Sequence, residues 1–574
     1  MKNLKNLINS ALFALGMFAA GEMQAQTIPT TFFGQNAWMP DTIGTKVYGG
    51  KLHQNWGKIQ ESKAQIIRFG GIAPDREGPS KYQYIKMIDS IRAKGMEPVM
   101  QVSYHKGKFN AQQAAALVQY INVTKNKGVK YWVIGNEPDL EYEYTSASQV
   151  AAYIKPFASA MKAVDPSIKT IGPETAWFNE GIIEGLTTPN GTHDITGRDA
   201  SGRLYLDIIS FHTYPFNGSQ NRDQVVSELT KSGGFNDKLA YLNTRVAACN
   251  SAHNRTGNSA LQTAVTEMNI NYQNSASDNV NGVGANSFIG GQFIAEMFGI
   301  GLKQGVSMMN IWSVIEGNNT ELNIGFLDRT TGARKPAFYH FQMMAENFKG
   351  QYVNGTSNNN KVKVFGSKSA QLIQVLVMNQ EQSGTANFTV RLNQDAIAGS
   401  AGLKINMNAG VNVEYNGVIG KESTVLLTFN AAGVLVKKTE YSIANALAGQ
   451  APVVTEHNGG VAGTLNGGGV TTSVGENGEE FVSMKGFSMN LYPNPAKSKF
   501  TIELDRPNKQ EVKFQVEVFD IMGRLIYTQT SVFPERKQAL DLSGNSLAEA
   551  VYIVRVREAG DKDNWKSSKV ILFK

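Results

Sequence analysis

The stretch Tyr131-Trp-Val-Ile-Gly-Asn136-Glu137-Pro138-Asp139-Leu140 decides the fold prediction for this chain. Its first four residues are an apolar run of aromatic and β-branched side chains, which is typical of a strand buried on both faces. Pro138 cannot donate to a sheet ladder, so the strand should end at about Glu137. The carboxylate of Glu137 is therefore predicted to project from the carboxyl end of a strand, where parallel sheets and barrels carry their chemistry.

Similar short apolar runs recur between residues 30 and 348. The eight predicted strands are Thr31–Asn36, Gln65–Phe69, Pro98–Ser103, Tyr131–Gly135, Lys169–Gly172, Asp207–Phe211, Thr263–Glu267 and Ser307–Trp312. Segments whose apolar residues have helical spacing lie between them. Strand–helix alternation favours parallel pairing, and eight such units in roughly 300 residues fit a (β/α)8 TIM barrel better than an open doubly wound sheet. The fold class is α/β, with a catalytic barrel predicted over residues 27–348.

Polar and aromatic residues gather at the carboxyl ends of these predicted strands. They are Gln35, Asn36, Trp38, Arg68, Tyr104, His105, Asn136, Glu137, Glu174, Trp177, His212, Tyr214, Glu267, Asn269 and Trp312. Any one of them could be an ordinary strand-end group whose hydrogen bonds a loop satisfies. Their occurrence at the same end of eight strands predicts a single chemically loaded mouth.

Glu137 and Glu267 are the predicted catalytic pair. Two carboxylates across a barrel mouth can cleave a glycosidic bond, because one protonates the leaving oxygen while the other attacks the anomeric carbon or activates water. A separation of about 5 to 5.5 Å would make the reaction retaining, with Glu267 as the nucleophile and Glu137 as the acid and then the base. Glu174 and Glu316 also lie near strand ends, where either could bind substrate or simply face solvent, but Glu267 is favoured because its neighbours predict a buried, rigid strand.

These residues resemble the motifs of clan A retaining glycoside hydrolases over residues 30–348. Asn136-Glu137-Pro138 is similar to the acid/base motif after strand four, with the asparagine holding a sugar hydroxyl, and Thr266-Glu267-Met268-Asn269 to the nucleophile strand. The resemblance further implies that Arg68 orients the nucleophile, that Tyr214 contacts it beside His212, and that Trp312 floors the subsite of the reacting sugar.

The remaining candidates are predicted to bind substrate. Trp38, Trp177 and Trp312 sit at strand ends, where an indole face can stack on a sugar, whereas Trp132 lies inside an apolar strand and is predicted to be core. His105 and His212 are predicted to be hydroxyl partners or structural donors, because no carboxylate–histidine metal motif is present. No metal and no cofactor are expected.

The chain after the barrel changes to short alternating strands. Residues 349–445 predict a β-sandwich, which either supports the barrel or binds sugar itself, and the Gly-rich residues 446–487 predict a flexible linker. Residues 488–574 contain Tyr492-Pro493-Asn494-Pro495 and Asp520-Ile-Met-Gly-Arg524. Both motifs resemble the C-terminal sorting domain of Bacteroidota type IX secretion cargo, so a second small all-β domain and the type IX secretion machinery as partner are expected.

The N-terminus and the composition bound the location of the protein. Residues 1–26 have the lysines, the short apolar run and the small residues of a signal peptide, and no later segment is long and apolar enough to span a membrane. Cys249 is the single cysteine, which excludes internal disulfides. The net charge of +7 is spread along the chain, so nucleic-acid binding is not expected. A secreted or surface-attached monomer is predicted.

The predicted function is a secreted retaining glycoside hydrolase that cleaves β-glycosidic bonds of plant or algal polysaccharides. Its three aromatic platforms favour endo action. A β-glucan, xylan, mannan or galactan would each fit. One alternative is an exo-acting β-xylosidase or arabinofuranosidase. Another is a non-catalytic surface glycan-binding protein, although a binding module has no need for the carboxylate pair Glu137 and Glu267.

Overall fold

The computed structural model describes residues 26–37, 52–317, 321–393, 402–465, 488–505, 513–520, 524–532, 537–543, 547–558 and 566–572. Residues 1–25 of the predicted signal peptide, Trp38 and residues 466–487 of the predicted linker lie outside the described residues. The chain divides into two units, one ending at Gly463 and one beginning at Thr464. Among the helices in the described ranges, none is both long and apolar enough to cross a bilayer.

Eight parallel strands close into a barrel in the order of the sequence. They are β1 (Phe33–Ala37), β2 (Ile66–Phe69), β3 (Glu97–Val102), β4 (Tyr131–Ile134), β5 (Lys169–Thr175), β6 (Ile208–Thr213), β7 (Gln262–Met268) and β8 (Met308–Ile311). The barrel closes because β1 pairs with both β2 and β8, with Gly34 opposite Ile66 on one side and Asn310 on the other. The predicted barrel and all eight strands are confirmed.

Helices cover the outside of the barrel. They are Leu52–Glu61, Ile72–Glu77, Lys81–Arg92, Ala111–Val118 with the π-helical turn Gln119–Thr124, Pro138–Glu141, Ala147–Val164, Glu180–Leu186, Arg222–Ser227, Phe235–Ala252, Phe288–Lys303 and Pro336–Asn347. Short 3-10 turns occur at His105–Gly107 and Gly257–Ser259. Several helices begin at a side chain that satisfies a free backbone N–H, as Ser80 does in a reciprocal pair with Gln83.

The inside of the barrel changes from apolar to charged along the strands. One separate cluster of strand residues is almost wholly apolar and comprises Ile66, Val99, Tyr131, Val133, Ile171, Ile208, Ala264 and Met308. Arg68, Glu174 and His212 stand further along β2, β5 and β6, and all three are completely buried. Trp132 belongs to the core, as predicted, and its indole N–H donates to the Val129 carbonyl.

A β-sandwich follows the barrel within the same unit. One sheet has the order β18-β17-β16-β12-β11-β9, and the other contains β10-β14-β13-β15. The strands are β9 (Gln351–Val353), β10 (Gly355–Ser357), β11 (Val362–Lys368), β12 (Leu372–Asn379), β13 (Thr385–Arg391), β14 (Leu403–Met407), β15 (Val413–Gly420), β16 (Ser423–Asn430), β17 (Leu435–Ser442) and β18 (Val453–Val461). Helix Ile443–Leu447 precedes β18, and β18 pairs with β17. The first half of the predicted linker is therefore folded.

The six-stranded sheet packs directly on the barrel. Phe365 lies against the backbone of the helix Phe288–Lys303, where a Cβ on Gly299 would come within 2.4 Å of its ring. Buried polar groups add to this apolar contact: Nε2 of His340 lies 2.9 Å from the Thr424 hydroxyl, and Lys363 pairs with the buried Glu296 at 3.2 Å. A shared core with satisfied polar groups supports the interpretation that the sandwich stabilises the barrel.

The second unit begins with the short strand β19 (Thr464–Leu465) and contains a small all-β domain with its own core. Its sheets have the orders β20-β21-β24 and β23-β22-β25-β26. The strands are β20 (Ser488–Tyr492), β21 (Lys499–Asp505), β22 (Lys513–Phe519), β23 (Leu525–Val532), β24 (Lys537–Asp541), β25 (Ala550–Glu558) and β26 (Lys566–Leu572).

The two sequence motifs of this domain have visible structural roles. Asn494 accepts a hydrogen bond from the backbone N–H of Ile571 at 2.9 Å, which ties the opening motif to the last strand. Asp520 accepts from both the backbone N–H and the guanidinium of Arg524, at 2.9 and 3.0 Å, and so links the residue after β22 to the residue before β23. Both motifs therefore supply hydrogen bonds between residues that flank the strands.

Candidate active site

Glu137 lies three residues beyond the end of β4 and is held in an unusual backbone conformation. Its φ angle is +45°, in the left-handed region, which costs a non-glycine residue roughly 1–3 kcal/mol. Its backbone N–H donates to the Glu174 carbonyl at 2.9 Å, and the N–H of Asn136 donates to the Tyr142 hydroxyl at 3.0 Å. These bonds hold the loop, while the carboxylate of Glu137 keeps about 13% of its side-chain surface exposed.

Glu267 lies near the end of β7, where the pairing with β8 is irregular between Val265 and Met268. Such a bulge re-aims side chains, and here it accompanies a carboxylate with a donor on each oxygen. Arg68 donates to Oε1 at 2.8 Å and the Tyr214 hydroxyl donates to Oε2 at 2.8 Å. Glu267 is therefore fixed and almost fully buried.

The two glutamates face each other across His212. One carboxylate oxygen of Glu137, one of Glu267 and one ring nitrogen of His212 all lie within 4.8 Å of one another. This spacing could also suit a metal ion, and it is the only such group of three in the described part of the chain. Both oxygens of Glu267 and both ring nitrogens of His212 already face hydrogen-bonding partners, so a cation would have to displace them.

His212 is buried between three carboxylates. Its Nδ1 lies 3.0 Å from Oε1 of Glu137 and 3.6 Å from Oε2 of Glu267, and its Nε2 lies 3.2 Å from Oε2 of Glu174. Burial alone would lower the pKa of His212, but the charge of Glu267 and the hydrogen bonds to Glu137 and Glu174 raise it to about 10. The imidazole is thus a cation at neutral pH, with an N–H group at each nitrogen.

Glu174 lies beneath the two mouth carboxylates and has no solvent exposure, so it does not face solvent as one sequence interpretation allowed. Its Oε1 accepts from the hydroxyls of Ser210 and Thr266 at 2.5 and 2.6 Å. Its Oε2 accepts from Arg68 at 2.8 Å and faces His212. Burial favours the neutral acid, but the charge of Arg68 and the hydrogen bonds from His212 and Ser210 lower the pKa of Glu174 to about 2.

Burial raises the pKa of Glu267, and the charge of Glu137 adds to the rise, whereas the charges of His212 and Arg68 oppose it. Burial and the charge of Glu137 therefore favour the neutral acid form of Glu267, and the two cations favour its carboxylate.

Trp312 and Asn136 complete the surroundings of Glu267. The Trp312 ring packs on Gly71, whose φ is +99°, and a Cβ at this position would come within 2.6 Å of the ring and 3.7 Å of Oε1 of Glu267. The amide oxygen of Asn136 accepts from Arg68 at 3.0 Å, while its buried Nδ2 has no hydrogen-bond partner among the described residues. The Trp312 ring thus lies beside Glu267, and the Nδ2 amide group of Asn136 can still donate a hydrogen bond.

The other predicted binding residues lie farther out or are not described. Trp177 is half exposed, in the loop after β5. His105 is partly exposed, and its backbone N–H donates to the buried Asp75 at 3.1 Å. Trp38 lies outside the described residues. Their binding roles stay predictions.

Among the residues that hold Arg68, sequence reasoning missed Gln101. The guanidinium of Arg68 also donates to the side-chain oxygens of Asn36 and Gln101, at 2.9 and 3.2 Å. Both are polar residues inside otherwise apolar barrel strands and are completely buried. That position was the available signal, because a buried polar group needs a partner.

Comparison with solved structures returns glycoside hydrolases. A xyloglucanase of glycoside hydrolase family 44 from Paenibacillus polymyxa aligns with 12% identity over 71% of this chain and 97% of its own, with a TM-score of 0.48. A family 44 endoglucanase from Clostridium thermocellum aligns with 13% identity over 70% and 97%, with a TM-score of 0.47. A bacterial orthologue of human α-L-iduronidase aligns with 10% identity over 95% and 97%, with a TM-score of 0.46.

Comparison of sequences identifies the C-terminal domain. Residues 490–572 match the family model described as a secretion system C-terminal sorting domain. No curated protein matches the sequence. The sorting domain indicates the type IX secretion machinery as a partner, and the protein is secreted or attached to the cell surface, as predicted.

Proposed function

We propose that the protein is a retaining glycoside hydrolase, with Glu267 as its nucleophile and Glu137 as its acid and base. The observation that supports this best is the approach of the two carboxylates to within 4.8 Å at the carboxyl ends of β4 and β7. Retaining enzymes hold their carboxyl groups about 5 to 5.5 Å apart, whereas inverting enzymes leave room for a water between them.

In the first step, a carboxylate oxygen of Glu267 attacks the anomeric carbon while the bond to the leaving oxygen breaks. Glu137 gives its proton to that oxygen, so the leaving group departs as an alcohol. In the second step, Glu137 takes a proton from water, the water oxygen attacks the anomeric carbon and the bond to Glu267 breaks. Two successive inversions leave the product with the configuration of the substrate.

The surrounding side chains suit these steps. Arg68 and Tyr214 stabilise the negative charge of Glu267 and fix its direction of attack. The spare N–H of Asn136 is available to a sugar hydroxyl, since its oxygen is already bound to Arg68. Trp312 supplies an apolar ring beside Glu267 on which a sugar can rest.

We propose a polysaccharide as the substrate and endo action as its mode. Asp139, two residues after Glu137, accepts from the backbone N–H of Ala176 at 2.8 Å and from Asn179 at 3.1 Å. These bonds fix the loop that carries the half-exposed Trp177 beside the acid loop, the side on which the leaving group must lie. A stacking platform there favours a leaving group that is itself a sugar.

The first test is the configuration of the product on a panel of β-glucan, xylan, mannan and galactan. On the polymer that is cleaved, proton NMR of the early products should show the β anomer, followed by slow mutarotation. Product sizing should show mixed oligosaccharides. An α anomer at early times would contradict the retaining mechanism, release of single sugars only would favour the exo alternative, and inertness on every polymer would favour a glycan-binding protein.

A second prediction concerns the C-terminal domain. Ending the chain at residue 487 should leave the activity of the purified protein within about twofold of the full chain, because the barrel and sandwich form a unit of their own. The same truncation should abolish export in the native host. Ending the chain at residue 348 is the matched control, and it should yield unstable protein because it exposes the barrel surface under Phe365. Loss of catalysis in the first variant would contradict the sorting role.

A further inference from the structure

Glu174 contacts both cations of the site through the same oxygen. Its Oε2 accepts from Arg68 at 2.8 Å and faces Nε2 of His212 at 3.2 Å. Arg68 reaches on to Glu267 at 2.8 Å, and His212 reaches on to Glu137 at 3.0 Å. One buried carboxylate is thus the shared partner of the two groups that hold the proposed catalytic glutamates.

The hydrogen bonds of Glu174 leave it with a single role. Four donors surround its two oxygens, and the side chain has no access to solvent or substrate. It therefore cannot attack a sugar or protonate one. A buried carboxylate with this many donors is a fixed negative charge.

The charge of the cluster explains what such a carboxylate contributes. With Glu137 protonated, the cations Arg68 and His212 balance the carboxylates Glu174 and Glu267. When Glu267 carries the sugar as an ester, Glu137 has lost its proton and takes over the negative charge. The buried cluster is neutral in both states as long as His212 stays a cation, and burying a net charge would be costly.

We infer that Glu174 is a positioning residue that keeps His212 protonated, so that its Nδ1–H points at Glu137 through both steps of the proposed reaction. The inference rests on the proposed function for the step, but the protonation of His212 can be measured without substrate. Nδ1 faces an oxygen of Glu267 at 3.6 Å as well as Glu137, and Nε2 faces Glu174, so an imidazolium presents an N–H to a carboxylate on each side.

Other charged and titratable groups also face His212 from the strands and loops around it. Glu137 and Asp139 after β4 and Glu267 on β7 interact with its charge, and Arg68 on β2 and Tyr214 after β6 each share a carboxylate partner with it. Glu137 is kept in every variant, because its hydrogen bond with His212 is the contact whose loss the experiment detects. Of the two carboxylates that hydrogen-bond His212, Glu174 is the one that can be altered without removing a proposed catalytic group.

The test is the titration of His212 in the full-length protein. The chain has seven histidines, so ring-labelled histidine gives a small set of signals, and the signal of His212 is the one missing in His212→Asn. In the wild type, His212 should show the shifts of an imidazolium up to a pH of about 10. In Glu174→Gln, loss of one adjacent charge should bring its pKa down to roughly 7 to 9.

Glu174→Gln should lower kcat/KM more at high pH than at low pH. Above its lowered pKa in Glu174→Gln, His212 is neutral and no longer donates reliably to Glu137, so kcat/KM relative to wild type should be roughly tenfold lower at pH 9 than at pH 6. Glu174→Asp keeps the charge and should preserve the imidazolium. Glu296→Gln removes another buried, paired carboxylate, against Lys363, and should leave the pH profile unchanged.

Two results would overturn the inference. One is a neutral His212 ring at pH 8 in the wild type, a measurement that does not depend on any variant folding. The other is an unchanged titration of His212 in Glu174→Gln. A purely structural role would lower the activity of Glu174→Gln by the same factor at every pH. Failure of the proposed function would show instead as inactivity of the wild type, with His212 still charged.

Discussion

Glu267→Ala should lower kcat on a β-glycoside by roughly 100,000-fold or more, the scale expected when a covalent nucleophile is lost. The barrel should remain folded, because Arg68 keeps its bonds to Glu174, Asn36 and Gln101 when Glu267 is removed. The loss is therefore expected to be chemical and not structural. Stopped assays with an aryl β-glycoside, together with a thermal melt, separate the two.

Azide identifies the role of Glu267. In the alanine variant an azide ion fits the space of the missing carboxylate and attacks the anomeric carbon from that side, while the aryl group leaves from the other. The product should be an α-glycosyl azide, formed by one inversion, with partial recovery of rate. Glu316→Gln is the matched control and should keep its activity, since Glu316 is a buried strand-end carboxylate that accepts from Ser313 at 3.2 Å. Full activity of Glu267→Ala would show that another residue is the nucleophile.

The barrel could be predicted from sequence because its signal is repeated. Each strand is short, apolar and followed by a helical segment, and parallel strands buried on both faces have this pattern. The ends of the strands are harder to predict. β5 runs on to Thr175 and β7 to Met268, past the predicted ends, because register irregularities at Pro173 and after Val265 interrupt the alternation on which a sequence prediction depends.

Those irregularities also explain why the position of the Glu174 side chain could not be predicted from the sequence. At a φ of +61° its backbone is left-handed, so its side chain does not follow the alternation of the strand. In the sequence, Glu174 is one more carboxylate near a strand end, and nothing there distinguishes its role from that of Glu316. Its partners Ser210 and Thr266 come from β6 and β7, and contacts across three strands have no signature in the local sequence.

The central contacts of the site were accessible from motifs. The predicted residues Arg68, His212, Tyr214 and Glu267 hydrogen-bond or face one another, and Glu137 joins them through His212. The outer aromatic residues are a different case. Trp177 is half exposed in a loop, and a loop residue has no partner in the strand pattern that would fix its position.

Glu137→Ala should have an effect that depends on the leaving group. For a polysaccharide, or an aryl glycoside with a poor leaving group, kcat/KM should fall by roughly 100- to 10,000-fold, because proton donation is lost. For an activated aryl glycoside the first step needs no acid, so the sugar should still transfer to Glu267. The second step should then be slow, because no base activates water. Rapid release of aryl alcohol followed by a slow steady state is the expected time course, with a low KM.

Azide separates this variant from Glu267→Ala by stereochemistry. It needs no base, so it should attack the sugar bound to Glu267 from the side that Glu137 vacated, restore the steady-state rate and give a β-glycosyl azide. Asp139→Asn is the matched control, because it alters a neighbouring carboxylate whose hydrogen bonds come from Ala176 and Asn179 and not from His212. An α-glycosyl azide from Glu137→Ala would show that Glu137 is the nucleophile and Glu267 the acid and base. A product of the same configuration from both variants would contradict the opposed carboxylates on which the proposed mechanism depends, since each azide must enter from the side of the residue that was removed.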